Sequence, residues 1–274
     1  MSSSAPISPL NRLGTWGKGG ALRARLYSFL PWLVPFLLIA GWQLGSNEGW
    51  INQRILPSPL NVLKALIRLG LDGELWANVK VSCRRAGLGF LIGVSFGLTL
   101  GFINATWKTM EILLDSSLQM FRTIPHLALL PLVIIWFGIG EKAKIFLIIC
   151  GVTFPIYLNT FHGIRSVDPL LISMAKVYGL NRFELWRNVI LPGALPSILV
   201  GVRFSLGVMW MTLIVAETIA ASSGLGYMAT NVREMMQTDV MVLSILIYAL
   251  LGKLADVLDR ALERRFLSWR QQIA

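Results

Sequence analysis

Long apolar runs recur along this chain, and they constrain its fold more than any other feature. The core of a bilayer takes a helix of about twenty mostly apolar residues, and inside it every backbone N–H and C=O must be satisfied within the protein. Six segments meet that length approximately: Phe29–Leu44, Ala86–Ala105, Leu118–Ile139, Ala143–Phe161, Ser197–Ala220 and Val240–Val257. With 55% hydrophobic and 14% charged residues over 274 positions, and a mean hydropathy of +0.64, a soluble globule of this size is excluded. The expected fold class is an all-α polytopic membrane protein with about six transmembrane helices.

Charge then orients the helices. The formal net charge of +11 would suggest nucleic acid in a soluble chain, but no DNA- or RNA-binding motif is present. Basic residues gather at the N-terminus (Arg12, Lys18, Arg23, Arg25), between the fourth and fifth runs (Arg165, Lys176, Arg182, Arg187) and in the C-terminal tail (Arg260, Arg264, Arg265, Arg270). The positive-inside rule puts all three regions, and hence both termini, in the cytoplasm. Trp50–Arg85 runs against it, since Arg54, Lys64, Arg68, Lys80, Arg84 and Arg85 would then lie outside. A basic stretch before an apolar run also describes a signal peptide. No small-x-small cleavage site follows Leu38, so Phe29–Leu44 is read as a retained helix. Residues Met1 to about Gly20, rich in Ser, Gly and Pro, are read as unstructured. Cys83 and Cys150 fall near one face and in mid-span, which argues against a disulfide.

Between the first two runs, Leu60, Leu63 and Ile67, with Val62 and Leu66, recur at helical spacing opposite Asn61, Lys64 and Arg68. They predict an amphipathic helix lying on the outer surface or on a partner subunit, with Asp72 as N-cap of a following helix from Glu74. The second run carries Gly87, Gly89, Gly93, Gly97 and Gly101, the last four at every fourth residue. Small residues at that interval predict close helix packing, within one subunit or between two. Pro125, Pro131 and Pro155 predict kinks in the third and fourth spans, for packing or for lining a path.

Catalytic and cofactor chemistry finds no footing. Gly17-Lys18 lacks the spacing of a phosphate-gripping loop, His126 and His162 have no metal-ligand neighbours and read as packing or interfacial residues, and Ser222-Ser223-Gly224 is no nucleophile elbow. Arg203 and Glu217 share the fifth span but lie roughly 21 Å apart along it, too far to pair. Arg203 is expected to snorkel, Glu217 to find a structural partner or face a path, and Lys253 to pair with Asp256. Trp136, Tyr157, Thr153, Asn159, Trp210 and Thr212 are the other polar or amphipathic groups suited to a pathway or gate.

The link from Val167 to Pro196 is polar and helix-forming, and unusually long for a connection between spans. It contains Ala175 and Gly179, then nine residues, then Val189-Ile190-Leu191-Pro192. Gly179 is suited to a left-handed turn that ends one short helix, and Pro192 is expected to stop a second and return the chain to the bilayer. This spacing resembles the coupling loop of ATP-binding-cassette importer permeases, written Glu-Ala-Ala, three residues, Gly, nine residues, Ile-x-Leu-Pro. Ser173 and Met174 stand where that pattern has Glu and the first Ala. Longer blocks, RTIPHLALLPLVIIWFGIGEKAKIFLI at Arg122–Ile148, FPIYLNTFHGIRSVD at Phe154–Asp168 and ILPGALPSILVGVRFSLGVMWMTLIVAETIAASSGLGYM at Ile190–Met228, are similar to the permeases of aliphatic sulfonate, taurine and nitrate importers, with the sulfonate branch nearest.

The resemblance implies a type I importer permease fold: a cytoplasmic segment 1–28, a first transmembrane helix 29–45, an external segment 46–78, a transmembrane domain 79–258 with its coupling loop at about 163–196, and a cytoplasmic tail 259–274. It implies a homodimer in the bacterial inner membrane, two ATP-binding subunits that hold ATP and Mg, and an external substrate-binding protein. On this chain it implies no catalytic, cofactor or metal site. Ser173, Met174, Ala175, Gly179, Val189, Leu191 and Pro192 would form the ATPase-coupling loop, with a helix at about Leu170–Tyr178 seated on the ATPase. The cargo would be a small organic anion, aliphatic sulfonates first, then taurine, then nitrate or bicarbonate. Selectivity is expected mostly in the binding protein, because the spans offer few cations. A stand-alone secondary transporter is the alternative, against which stand the lack of a convincing internal repeat and the isolation of the intramembrane charges.

Overall fold

The computed structural model describes residues 19–234 and 237–267. Arg12, Lys18, Arg270, the Gly17-Lys18 pair and nearly all of the Ser/Gly/Pro-rich start lie outside the described residues. Two compact units, residues 1–53 and 54–274, are described separately. All described elements are helical.

The first unit holds α1 (Gly19–Asn47), which covers the expected first span. Leu33, Val34, Phe36, Leu37, Leu38 and Ile39 are all exposed, so the helix is apolar around its whole circumference, as a lipid-facing helix is.

The second unit opens with α2 (Pro59–Leu71), capped by Ser58, whose side chain accepts from the Asn61 N–H at 3.2 Å. Its buried row is Val62, Ala65 and Leu69, whereas Leu60, Leu63 and Ile67 stay more than half exposed at 52%, 51% and 54%. The apolar stripe is therefore wider than the buried face, and packing against α3 (Glu74–Thr106) and the last helix selects the row. Asp72 does not cap α3. It ends α2, donating its N–H to Arg68 O at 3.0 Å, and Gly73, at φ +79°, makes the reversal that only glycine adopts readily.

After α3 come α4 (Lys108–Thr123), a short 3₁₀ turn at His126–Leu129, α5 (Leu130–Phe137) and α6 (Glu141–Arg165). Gly89, Gly93, Gly97 and Gly101 form a groove that takes a ridge on α6 made of Ile148, Val152, Ile156 and Thr160. A Cβ added at these glycines would meet the ridge at 2.6 to 2.9 Å, and at Gly97 it would also meet the Thr153 carbonyl oxygen at 2.6 Å. The glycine periodicity thus serves packing inside one chain. Each glycine faces a residue at a constant offset in number, so α3 and α6 run parallel, and residues 107–140 must carry the chain back across.

That return is not the single straight span expected at Leu118–Ile139. α4 and α5 meet at 82°. Ile124, driven out of the helical region by the following proline (φ −76°, ψ 120°), and Pro125, which has no N–H to donate, place the break. Pro155, by contrast, sits inside α6 without ending it.

The link then folds as α7 (Pro169–Val177) and α8 (Arg182–Leu185), a π turn at Trp186–Ile190, and α9 (Leu191–Ala220); α10 (Leu225–Glu234) and α11 (Thr238–Phe266) complete the unit. α9 lies antiparallel to α6, with Gly163 against Ser197 and Gly201 against Asn159. α11 is antiparallel to α9, so the α7–α8 link and the end of α11 share one end of the bundle. α11 continues past residue 259 to Phe266, so the start of the expected tail is helical. Arg203 reaches across to α11, where its Nε donates to Asp259 at 2.8 Å and it also pairs with Glu263. Lys253 and Asp256 pair as expected, at 3.6 Å, and Asp256 also accepts from Arg260 at 2.8 Å.

Enlarging Gly97 tests the groove. Gly97→Leu should lower the midpoint of detergent-solubilised thermal unfolding, by overpacking worth about 1–3 kcal/mol. Gly87→Ala, with nothing within 4 Å of its Cβ position, should leave the midpoint unchanged.

Candidate functional site

Three features of the second unit could carry function, and α9 joins them. The first is the α7–α8 link. Asp168 caps α7 by accepting from the Leu170 N–H at 2.8 Å, and Pro169 occupies its first position. At the other end Gly179 takes the left-handed turn, at φ +82°, while Leu180 N–H donates to Ala175 O at 3.1 Å and Gly179 N–H to Lys176 O at 3.0 Å. Those two bonds are a complete Schellman closure. Asn181 and Glu184 then form a reciprocal capping box that starts α8.

Pro192 does not stop the second helix. Residues Arg182–Ala220 run on as one 39-residue helical rod. The π turn before Pro192 widens the ring: the Leu191 N–H reaches back five residues to Trp186 O, relieving the clash of a proline ring with the preceding turn. The link is pinned to the bundle by Trp186, whose ring centroid lies 4.8 Å from that of Phe102, by Val167 against Gly193, and by Arg165 gripping Glu111 through two 2.6 Å bonds. Ala175 is buried, and Ser173 spends its hydroxyl on Pro169 O at 2.9 Å. Leu170, Met174, Val177, Tyr178 and Phe183 are exposed, and Leu191 half-exposed. Such a cluster of apolar side chains on a polar link could seat a partner.

The second feature closes the opposite end. Arg85, fully buried, donates from Nε to Glu141 at 2.8 Å, from one terminal nitrogen to Glu217 and to the Ser223 carbonyl at 2.6 Å each, and from the other to Ser223 Oγ at 2.9 Å and to Glu141. Glu217 also accepts from Ser82, from the Gly226 N–H at 3.0 Å and from Tyr248 at 2.6 Å. Gly224, at φ +109°, has no room for a Cβ between Glu217 and Arg85, so the loop after α9 can lie only here. Arg85 was assigned by sequence to a basic outer segment. Its pairing removes it as a free charge, as do the contacts of Arg84 with Glu141 at 3.7 Å and Arg68 with Asp239 at 3.8 Å. No sequence pattern linked Arg85 to Glu217, because 132 residues separate them.

The third feature is a cavity of about 410 Å³ lined from α4, the 3₁₀ turn, α6 and α9. Its α6 wall runs from Cys150 to Asn159 and its α9 wall is Phe204 and Val208, the middle portions of both helices. Arg122 and His126 line it from the bent α4–α5 segment. Thr212 Oγ1 lies 2.7 Å from Val208 O, to which it donates, and 2.8 Å from His126 Nε2, so the imidazole is held against α9 at the cavity wall.

The expected pathway residues scatter. Asn159 lines the cavity and Thr212 supports its wall through His126. Tyr157 turns toward α3, its hydroxyl accepting from Asn104 at 3.1 Å, and Trp210 packs edge-on to Tyr248 at 6.2 Å. Trp136 is exposed on α5, and Glu217 belongs to the buried cluster. Arg122 was missed by sequence reading, although a basic residue inside an apolar run is a usable signal.

Comparison with known proteins places this geometry. The family described as binding-protein-dependent transport system inner membrane component matches residues 93–268. The chain is 58% identical over 239 residues to the Escherichia coli (strain K12) protein named for aliphatic sulfonates transport, SsuC, covering 87% of this chain and 91% of that one. It is 45% identical over 238 residues to the SsuC of Bacillus subtilis (strain 168), covering 87% and 86%. A crystal structure of an amino acid ABC transporter with histidines superposes with a TM-score of 0.61 at 20% identity, over 73% of this chain and 97% of that chain.

The buried cluster yields a stability test. Arg85→Met leaves Glu217 uncompensated and should cost about 3–5 kcal/mol. Adding Glu217→Met should recover part of that loss, and a double-mutant cycle on detergent unfolding midpoints reads the coupling.

Proposed function

Since the chain belongs to the family of binding-protein-dependent transport system inner membrane components, we propose that it serves an ATP-driven importer of aliphatic sulfonates. Membership makes it a multi-pass inner-membrane permease subunit with the type I ABC importer fold, and not an ATPase. A stand-alone secondary carrier is thereby set aside.

In this reading two copies assemble with two ATP-hydrolysing subunits, which bind ATP and Mg, and an external binding protein delivers the cargo. The α7–α8 link is the docking element, and one observation carries this: a doubly capped helix exposes Leu170, Met174, Val177 and Tyr178 at one end of the bundle. Ser173 and Met174 occupy the first positions of the coupling pattern, Ala175 and Gly179 hold its turn, and Val189, Leu191 and Pro192 form the joint to α9. That end, with the C-terminus of α11, faces the cytoplasm, in line with its basic residues Lys176, Arg182, Arg187, Arg264 and Arg265. The N-terminal segment, basic at Arg12, Lys18, Arg23 and Arg25, is assigned to the cytoplasm by the same rule. ATP binding draws the motor subunits together and shifts the permease between two states by its differential affinity for them.

The sulfonate assignment rests on the two SsuC relatives.

Two outcomes are expected. Deleting this chain should abolish growth on alkanesulfonates as sole sulfur source while growth on sulfate persists; unimpaired alkanesulfonate growth would refute the reading. Gly179→Pro, incompatible with φ +82° and with the bond to Lys176 O, should release the ATPase during co-purification, and retention of the full complex would count against the docking element.

A further inference from the structure

We infer that the Arg165–Glu111 pair is the tie through which a stroke at the α7–α8 link reaches α4, which makes both of them positioning residues for transport. This deepens the importer reading and rests on it.

α4 is held at its ends rather than along its length. None of its sixteen residues is buried, so side-chain packing alone gives it little reason to follow its neighbours. Its last turn runs into the Ile124–Pro125 break and the 3₁₀ turn, where His126 Nε2 lies 2.8 Å from Thr212 of α9. In its first turn Glu111 accepts two bonds from the Arg165 guanidinium, each 2.6 Å long. Among the described residues, Arg165 is the one side chain of another element that bonds to a side chain of α4. The second partner of Glu111, Lys108 at 2.9 Å, belongs to α4 itself and ties it to nothing else.

Position gives the pair its role. Arg165 is the last residue of α6, and Asp168, the cap of α7, follows three residues later. The pair therefore stands at the entrance to the docking element, while the far end of the helix it grips brings Arg122 to the cavity wall. At about 1.5 Å per residue, sixteen residues span roughly 24 Å, so a shift at Glu111 turns α4 about its break at Ile124–Pro125. Exposed ion pairs are mostly weak and loosely oriented, but this one has the geometry of the exception. Glu111 is only 15% exposed, and two parallel bonds between a planar guanidinium and a carboxylate fix direction as well as distance. The guanidinium is steadied from its other side by the Phe161 ring, 4.8 Å from its central carbon. The docking link thus acts on two walls of the cavity, on α9 through a continuous helix and on α4 through Arg165.

The test uses the assembled transporter. Permease, ATPase and binding protein are reconstituted in proteoliposomes, and uptake of radiolabelled hexanesulfonate is measured against ATP hydrolysed. Glu111→Gln should leave co-purification of the subunits and hydrolysis as in the wild type, while uptake per ATP falls about five-fold or more, as expected when an energetic coupling between two sites is lost. Glu111→Asp should regain part of the loss, and so should the charge exchange that combines Glu111→Arg with Arg165→Glu. The inference is overturned if Glu111→Gln keeps the wild-type uptake per ATP, if its uptake and hydrolysis fall in proportion, or if neither restoring variant improves on it. Wild-type proteoliposomes that import no alkanesulfonate would instead overturn the proposed function, so the two failures are distinct.

Discussion

The close parallel contact of α3 with α6 is what the rest of the second unit depends on. Lipid tails are as apolar as leucine, so burial alone does not hold helices together in a bilayer, and backbones must approach near enough for dispersion to do so. Four glycines at every fourth position on α3 allow this, and the Ile148, Val152, Ile156 and Thr160 ridge locks the register. The parallel direction has a topological consequence, because the chain between the two helices must return across the membrane. It does so as the bent α4–α5 pair, and the bend opens the cavity that Arg122 and His126 line.

Charge is handled in opposite ways at two levels of the bundle. Around Arg85 every donor of the guanidinium and both oxygens of Glu217 are engaged, and Gly224 lets the loop after α9 seal the group from above. A satisfied network of this kind rigidifies its surroundings, since loss of any member strands a buried charge. Beside the middle of α6 and α9 Arg122 is instead left exposed at the open side of the cavity and pairs with no described residue. The first arrangement suits a closed end of the bundle, and the second leaves a cation within reach of solvent.

Legibility in the sequence followed the range of the interactions. Features set by neighbours a few residues apart could be read directly: the apolar runs, the glycine stripe, the left-handed turn at Gly179 and the Lys253–Asp256 pair. Misreadings arose where a distant partner or a local compensation decided the outcome. Asp72 looked like an N-cap, but Gly73 could reverse the chain without help from a side chain. Pro192 looked like a stop until the π turn at Trp186–Ile190 absorbed it. The buried face of α2 was set by α3 and α11, and Arg85 and Arg203 were given their roles by carboxylates on other helices. The cavity was passed over because its wall is assembled from three segments remote in sequence.

The rod from Arg182 to Ala220 connects these levels mechanically. At about 1.5 Å per residue, its 39 residues span roughly 58 Å, longer than a bilayer's hydrocarbon core is thick. Its beginning continues the exposed α7–α8 link, its middle contributes Phe204 and Val208 to the cavity, and its far end presents Glu217 to Arg85 and Tyr248. A displacement imposed on α7 and α8 therefore has a continuous helix through which to act on the cavity wall and the closed end together. The π turn is the one irregular joint on that route, and Trp186 against Phe102 couples it to α3 as well. Because α9 is gripped by α6 along one side through Gly163, Gly201 and Ser205 and by α11 along another through Arg203, it moves most readily as part of that packed group rather than by sliding alone. The bent α4–α5 segment is held to α6 by its 3₁₀ turn and α5, and at its start by Arg165 on Glu111, so this wall is tied to the same packed group.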